Sequence, residues 1–307
     1  MPARAQQAGK LPVIGFLGAS AAPAQAQWTA AFVQRLRELG WIDGRTIAIE
    51  YRFAEGRNDR FAELATELVR LKVDVILTDG GATLAAKNVT STIPIVFAVA
   101  ADPLGGGYVS SLSRPGGNVT GSSVQASDTA SKRLSLLQEA IPGLRRVAIL
   151  VNVNYPAAVK ETAEVESAGR EIRLETIRGE VRRVEDIASA IEGLKGRADA
   201  LYVCTDSFFN SNRQIINSSA IAAKLPNIHG IRATAEGGGM MSYSANFPAL
   251  FRRAAEKVDK ILRGAKPGDL PVEQPVQFDL MINMKTAATL GLTLPPTLIG
   301  LADEVIE

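Results

Sequence analysis

One cysteine, Cys204, and one histidine, His229, are all that 307 residues contain of those two types. A single cysteine excludes an internal disulfide framework. One of each excludes the usual His/Cys zinc sites, and no EF-hand loop offers a calcium site. A serine hydrolase would have to use His229 as its base. That residue follows Leu225-Pro226-Asn227-Ile228 at the end of a predicted strand, where a structural role is the plainer reading, and no Gly-x-Ser-x-Gly elbow is present. No apolar run approaches the roughly 20 residues that span a bilayer. A charge excess is also missing: 34 basic and 32 acidic residues leave a formal +2. Nucleic-acid binding needs clustered Lys and Arg, and no basic cluster is longer than a pair such as Arg182-Arg183, which reads as a solvated helix face. Neither a dinucleotide fingerprint nor a Walker sequence occurs. The first strand-loop-helix reads Gly15-Phe16-Leu17-Gly18-Ala19-Ser20, and the runs Gly105–Gly107 and Gly237–Gly239 read as loops. No cofactor, no metal and no catalytic residue is therefore expected.

What is present is an ordinary globular balance, 46% hydrophobic and 21% charged, in a chain long enough for two domains. Short apolar runs near 10–17, 46–51, 73–78 and 94–99 alternate with helical patterns such as Trp28, Phe32, Leu36 and Leu39. Such alternation calls for a parallel sheet covered by helices. After the turn-rich Ser113-Arg114-Pro115-Gly116-Gly117-Asn118, the pattern restarts. Strands are predicted at 147–151, 172–177, 200–204 and 226–229, with helices at about 156–169, 184–194 and 210–224. Cys204 reads as a buried strand thiol. The last quarter breaks the tandem. A strand near 240–244, an amphipathic helix with Arg252, Arg253, Glu256 and Lys257 outward, and a strand near 277–282 are too few for a third domain, so they are expected to extend both sheets. At the start, Ala3-Arg4-Ala5 before Gln6-Gln7 has the small-x-small pattern of a signal-peptidase site. It reads either as the remnant of a leader cut away or as a plain Ala-rich tail.

In open parallel sheets ligands bind beyond the strand C-termini, where helix N-termini offer free N–H groups to a carboxylate. The loops so placed are Ala19-Ser20, Asp79-Gly80-Gly81-Ala82-Thr83, Ala100-Ala101-Asp102, Asn152-Val153-Asn154-Tyr155 and Thr205-Asp206-Ser207-Phe208. They carry groups that pair with an ammonium and a carboxylate and stack a flat side chain. The expected arrangement puts a ligand carboxylate on Ser20 and the amides of Ala82 and Thr83, an ammonium on Asp206, and an aromatic contact from Trp28 or Phe208. Asp206 and Ser20 have helix capping as a rival role, and Trp28 has core packing. Ala19, Gly80, Gly81, Ala100, Asp102, Asn154 and Tyr243 complete the candidate ligand set.

Several phrases carry a resemblance. They include Pro12-Val-Ile-Gly-Phe-Leu17, Leu36-Arg-Glu-Leu-Gly-Trp41, Ser91-Thr-Ile-Pro-Ile-Val-Phe97 and Ser113-Arg-Pro-Gly-Gly-Asn-Val-Thr-Gly121. Further ones are Val258-Asp-Lys-Ile-Leu-Arg-Gly-Ala-Lys-Pro267, Leu290-Gly-Leu-Thr-Leu-Pro-Pro296 and Ala302-Asp-Glu-Val-Ile-Glu307. From about Leu11 to the end, the chain resembles the ABC-transporter substrate-binding protein family, whose members include tryptophan- and tyrosine-binding lipoproteins. The resemblance implies an α/β, type I periplasmic-binding-protein fold: two doubly wound parallel-sheet lobes joined by three crossovers, near Thr120–Ser122, Tyr243–Ala245 and Asp279–Met281. One lobe would comprise 11–121 plus 244–279 and the other 122–243 plus 280–307, with 1–10 as leader remnant or tail. It also implies a periplasmic monomer that closes by a hinge on a small solute, probed best among amino acids and aromatic acids, with an ABC permease in the inner membrane as partner. Two departures fall near the cleft or hinge: Asp79-Gly80-Gly81-Ala82-Thr83 where relatives often have a Gly-Gly-Thr-Pro-like turn, and Tyr243-Ser244 where they often have Tyr-Gly. With no cysteine near the start, a lipid anchor is not expected. Competing readings are a sensor subunit for a receptor and a small-molecule enzyme on the same fold. A two-lobed repressor would need an N-terminal helix-turn-helix, for which the residues before the first strand leave no room.

Overall fold

A computed structural model describes residues 11–307; the suggested cleavage site at Ala3–Gln7 lies outside them. In chain order the elements are β1 (Val13–Gly18), α1 (Ala26–Glu38), β2 (Ala48–Phe53), α2 (Phe61–Arg70), β3 (Val75–Thr78), α3 (Ala82–Val89), β4 (Ile95–Ala100) and β5 (Val119–Ser123). There follow α4 (Ala130–Ala140), β6 (Arg146–Asn152), α5 (Pro156–Glu171), β7 (Glu175–Val181), α6 (Val184–Glu192), β8 (Ala200–Val203), α7 (Ser207–Ser211), α8 (Arg213–Ala222) and β9 (Asn227–His229). The chain ends with α9 (Arg232–Glu236), β10 (Met241–Ala245), α10 (Phe247–Leu262), β11 (Phe278–Asn283), α11 (Met284–Thr289), α12 (Pro296–Gly300) and β12 (Glu304–Ile306).

Two sheets form, in the orders β2-β1-β3-β4-β5 and β7-β6-β8-β9-β10-β11-β12. Every pairing is parallel except β10 with β11. The first five strands of the second sheet repeat the order of the first, so each lobe is the same doubly wound unit. Residue alternation along the strands builds the N-terminal lobe's two cores. Ile14 and Phe16 of β1 join Val75, Leu77, Val96 and Ala98 under α1 and α10. Leu17, Ile76, Ile95 and Phe97 face α2 and α3. The C-terminal lobe has one continuous core, with α4 against α5 and α6 against α8.

α10 belongs to the first lobe although its strand neighbours β10 and β11 belong to the second. Leu250, Ala254, Val258 and Ile261 bury its apolar stripe, and Phe247 and Phe251 stack on Trp28 of α1 at 4.8 and 5.9 Å. Arg35–Glu256 and Arg252–Glu38 pairs flank the seam. One expected outward residue turns in. Lys257 is buried, its ammonium donating to the Pro271 carbonyl at 2.8 Å and pairing with Glu273 at 2.9 Å. The returning crossover lies on that flank of the helix, which a period count cannot reveal.

The chain passes between lobes after β5, after β10 and before β11. The crossover positions expected within 120–122, 243–245 and 279–281 fall inside those strands and pair there, apart from Ser122, where the β4–β5 register shifts. Glu273 of the third crossover accepts from Ser123 N at 2.8 Å and donates to Gly121 O at 3.0 Å, so two of the three linkers are zipped together. Two other differences are local. The helix expected at 210–224 is broken into α7 and α8 at Asn212, whose side chain donates to Phe208 O at 2.8 Å. β7 begins three residues later than expected because Arg173 adopts a left-handed turn after α5.

Candidate functional site

The C-terminal ends of both sheets face one another across the gap between lobes. From the first lobe come Ala19 and Ser20 after β1, Asp79–Gly81 after β3, Ala82 and Thr83 opening α3, and Ala100 closing β4. The second lobe supplies Asn152 and Tyr155 after β6, and Thr205–Phe208 after β8. The lobes touch directly across the gap. Ser20 Oγ donates to Ser207 O at 3.3 Å, Asn210 Nδ2 to Ser20 Oγ at 3.3 Å and to Ala24 O at 3.3 Å, and Ala21 N to Ser211 Oγ at 3.1 Å. At one rim Lys160 of α5 pairs with Asp102 at 2.7 Å. The central cavity, walled by Gly80, Ala100, Tyr155, Asp206, Ser207 and Phe247, has a volume of about 20 Å³, room for about one water molecule. A groove of about 520 Å³ opens beside it, between Gly56–Asp59 of one lobe and Asn152, Asn154, Arg182–Glu185 and Phe208 of the other.

Glycines make this closeness possible. Gly80 has φ +53°, and a Cβ there would stand 2.9 Å from Ser207 Oγ. Gly56 has φ +78°, and its Cβ would stand 3.1 Å from Phe208 Cα. A side chain at either place would meet both backbone strain and the opposite lobe.

Two carboxylates are buried at the gap, and they differ. Asp206 caps α7, accepting from Phe208 N at 2.9 Å on one oxygen and from Asn152 Nδ2 at 2.8 Å on the other. Burial still pushes it up to about 6 against those bonds. Asp79 has only the Ala19 amide, 3.2 Å from Oδ1, while Oδ2 has no hydrogen-bond partner among the described residues. Burial pushes it up to about 7. Thr78 Oγ1, Thr83 Oγ1 and Gln25 Nε2 are likewise buried without a partner there; Gln25 also accepts from Ser20 N at 3.3 Å.

Beneath the second lobe's face lies a closed network. Arg133 pairs with Glu161 at 3.0 Å, both essentially inaccessible. Its guanidinium also donates to Thr205 Oγ1 at 3.0 Å, Thr129 Oγ1 at 2.9 Å and the Ala126 carbonyl at 2.5 Å. Glu161 accepts from Tyr202 OH at 2.8 Å and Thr205 N at 2.9 Å. The network ties the first crossover (Ala126, Thr129) to the loop that carries Asp206. His229, at the end of β9, is buried with both ring nitrogens unbonded among the described residues, and burial holds it neutral, down to about 3.

Of the residues singled out from sequence, Ala19, Ser20, Gly80, Gly81, Ala82, Thr83, Ala100 and Asp206 are gathered at the strand ends around the gap. Asn154 and Phe208 line the lateral groove, and Asp102 is the acidic half of the rim pair. Trp28 packs on α10, its rival role, and also lines a cavity of about 290 Å³ between the lobes with Ile231, Ala233 and Phe247. Tyr243 is not brought to the gap: it lies on the β10–β11 ladder and stacks on Phe278 at 5.7 Å. Of the two capping alternatives Asp206 is a cap, whereas Ser20 bridges lobes. Asp79, Tyr155 and Ser207 lay in the candidate loops but were not singled out; a carboxylate beside a Gly-Gly at a strand end was the available signal. Gln25, Asn210, Arg133 and Glu161 had none, since all sit in or next to helices where polar residues ordinarily face water.

The sequence model of the family described as ABC transporter substrate binding protein matches residues 15–306. A tyrosine-binding protein of Clostridioides difficile is 27% identical over 262 residues, covering 85% of this chain and 75% of the relative. Among solved structures, a Streptococcus pneumoniae ABC domain in complex with L-Trp is similar with TM-score 0.91 at 26% identity, over 97% of this chain and all of that one. The ligand-free, open structure of a Clostridium difficile substrate-binding protein is similar with TM-score 0.69 at 25% identity, over 96% of this chain and 99% of that one.

Proposed function

This chain belongs to the ABC transporter substrate-binding protein family, and on that premise we propose that it is the extracytoplasmic receptor of an ABC importer, closing on one small carboxylate-bearing solute of the amino-acid or aromatic-acid class. The observation that carries this reading is the gap itself. Polar groups from five strand ends converge between two lobes joined only by crossovers, and several are buried without the partners that buried polar groups ordinarily have. Such a surface is incomplete until something polar enters it.

Hinge closure supplies the mechanism. A ligand held first by one lobe gains contacts with the other on closing, and that differential affinity shifts the open–closed equilibrium. Here the lobes already touch through Ser20, Ser207 and Asn210, and the central cavity is far smaller than an amino acid. The ligand therefore enters an opened form and exchanges these direct bonds for its own. Greater likeness to the L-Trp complex than to the open, ligand-free relative supports reading this arrangement as the closed one. The tyrosine- and tryptophan-binding relatives support an aromatic amino acid, with the lateral groove by Phe208 and Asn154 receiving its side chain. Micromolar affinity needs a net of about −8 kcal/mol, within reach of a few charge-assisted hydrogen bonds and one buried ring. The protein would act as a monomer delivering its solute to an inner-membrane permease, and would perform no chemistry on it.

A thermal-shift screen over the twenty amino acids and aromatic acids, followed by calorimetry and small-angle scattering of each hit, tests this. The expected result is one narrow ligand class with micromolar or tighter binding and a smaller radius of gyration with ligand. Catalytic turnover of a hit, or no stabilising solute in any class, would overturn it.

A further inference from the structure

The two buried carboxylates at the gap were not equally available to a ligand. Asp206 spends both oxygens inside its own lobe. Asp79 is 1% exposed, has one bond to the Ala19 amide, and leaves Oδ2 facing no donor among the described residues. One α-helical turn along the chain, Thr83 sits in the first turn of α3 with its hydroxyl also unpartnered. A buried carboxyl oxygen with no partner among the described residues thus lies beside a helix start, where N–H groups favour a negative group. One small group satisfies both at once: a zwitterion whose ammonium and carboxylate are neighbours on a single carbon. A carboxylate alone, brought to the same helix start, would leave Asp79 Oδ2 without a donor of its own.

From this we propose that Asp79 is the specificity-determining residue of the cleft, taking the ammonium of an α-amino acid on its free oxygen while the start of α3 and Thr83 take the carboxylate. The inference rests on the solute-binding reading and narrows it. Aromatic acids without an amino group become the weaker ligands, and the ammonium site expected at Asp206 moves to the other lobe. Asp79→Asn keeps the shape and the acceptor for Ala19 N but removes the charge, so it separates recognition from packing.

The test is calorimetric titration of the wild-type chain, Asp79→Asn and Asp206→Asn with L-tyrosine, L-tryptophan and their des-amino counterparts, 3-(4-hydroxyphenyl)propionate and indole-3-propionate. The wild type is expected to bind at least one amino acid ten-fold or more tighter than its des-amino counterpart. Asp79→Asn should erase that preference, weakening the amino acid at least ten-fold and the des-amino acid less than two-fold, with Asp206→Asn retaining the preference. The inference is overturned if the wild type binds the des-amino acid equally well, if Asp79→Asn leaves amino-acid affinity within two-fold, or if both ligands weaken together. Those outcomes leave the solute-binding reading standing. If the wild type binds none of the four and nothing in the wider screen, that reading fails and the inference with it. Should Asp79→Asn not fold, the wild-type preference decides alone.

Discussion

The two lobes repeat one topology, and each places an aspartate in the loop after the strand next to its first: Asp79 after β3, Asp206 after β8. In the second lobe that loop rests on a network joining Arg133, Glu161, Tyr202 and Thr205, with Asn152 on Asp206 and only Arg133 Nε of the group left without a partner among the described residues. In the first lobe the same place is left incomplete, with Asp79, Thr78 and Thr83 short of partners. Identical folds therefore present different faces to one gap, one held rigid from below and one waiting for a donor. The difference is energetic rather than geometric, because a buried polar group without a partner costs stability that a ligand can restore.

The largest effect that would sharpen this contrast is removal of Arg133. Arg133→Ala leaves Glu161 charged, buried and unpaired, and is expected to cost about 3–5 kcal/mol by urea denaturation. Truncating Arg52, the partially exposed partner of Glu67 in the first lobe, should cost about 1 kcal/mol or less. Equal losses at the two places would remove the idea of a specially built second face.

An intermediate effect concerns pH. Both aspartates are raised in the folded chain, Asp79 to about 7 and Asp206 to about 6, from an ordinary 3.8. Between these values the folded state holds protons that the unfolded state has released, so stability falls as pH rises from about 4 to about 7. Asp79→Asn is expected to flatten the upper part of this slope and to stabilise the ligand-free protein at pH 8 by on the order of 3 kcal/mol. Melting curves across pH 4–8 check both; an unchanged slope in the variant would return Asp79 to the satisfied class of Asp206.

The smallest effect lies at the rim. Lys160→Ala breaks the pair with Asp102. With the lysine half exposed, the closed state should lose less than about 1 kcal/mol, and less again in high salt. Scattering profiles at low and high salt measure it. A large opening would mean that the rim pair, rather than the gap, holds the lobes together.

Much of the architecture was legible because burial follows local pattern. Val13–Gly18 and Ile95–Ala100 are apolar on both faces, as a strand covered on both sides must be. The α1 stripe through Trp28, Phe32 and Leu36 declares a helix against a sheet. The loops that reach the gap were legible for the same reason, since strand ends follow from strands. Individual site residues were less so. Tyr243 is aromatic and polar-tipped wherever it stands, and only packing against Phe278 removes it from the gap. Lys257 carries the charge of a surface residue and is buried by the crossover at Pro271 and Glu273.

The order of residues alone determined a two-lobed α/β chain with polar loops at the strand ends, because apolar periodicity and turn chemistry act over a few residues and need no partner. Which polar groups on those loops are satisfied, and which are left for a ligand, was decided only when distant segments met. Asp79 and Asp206 are the same residue type in equivalent loops, and their difference is the presence of Asn152 and the α7 amide beside one and nothing but the Ala19 amide beside the other.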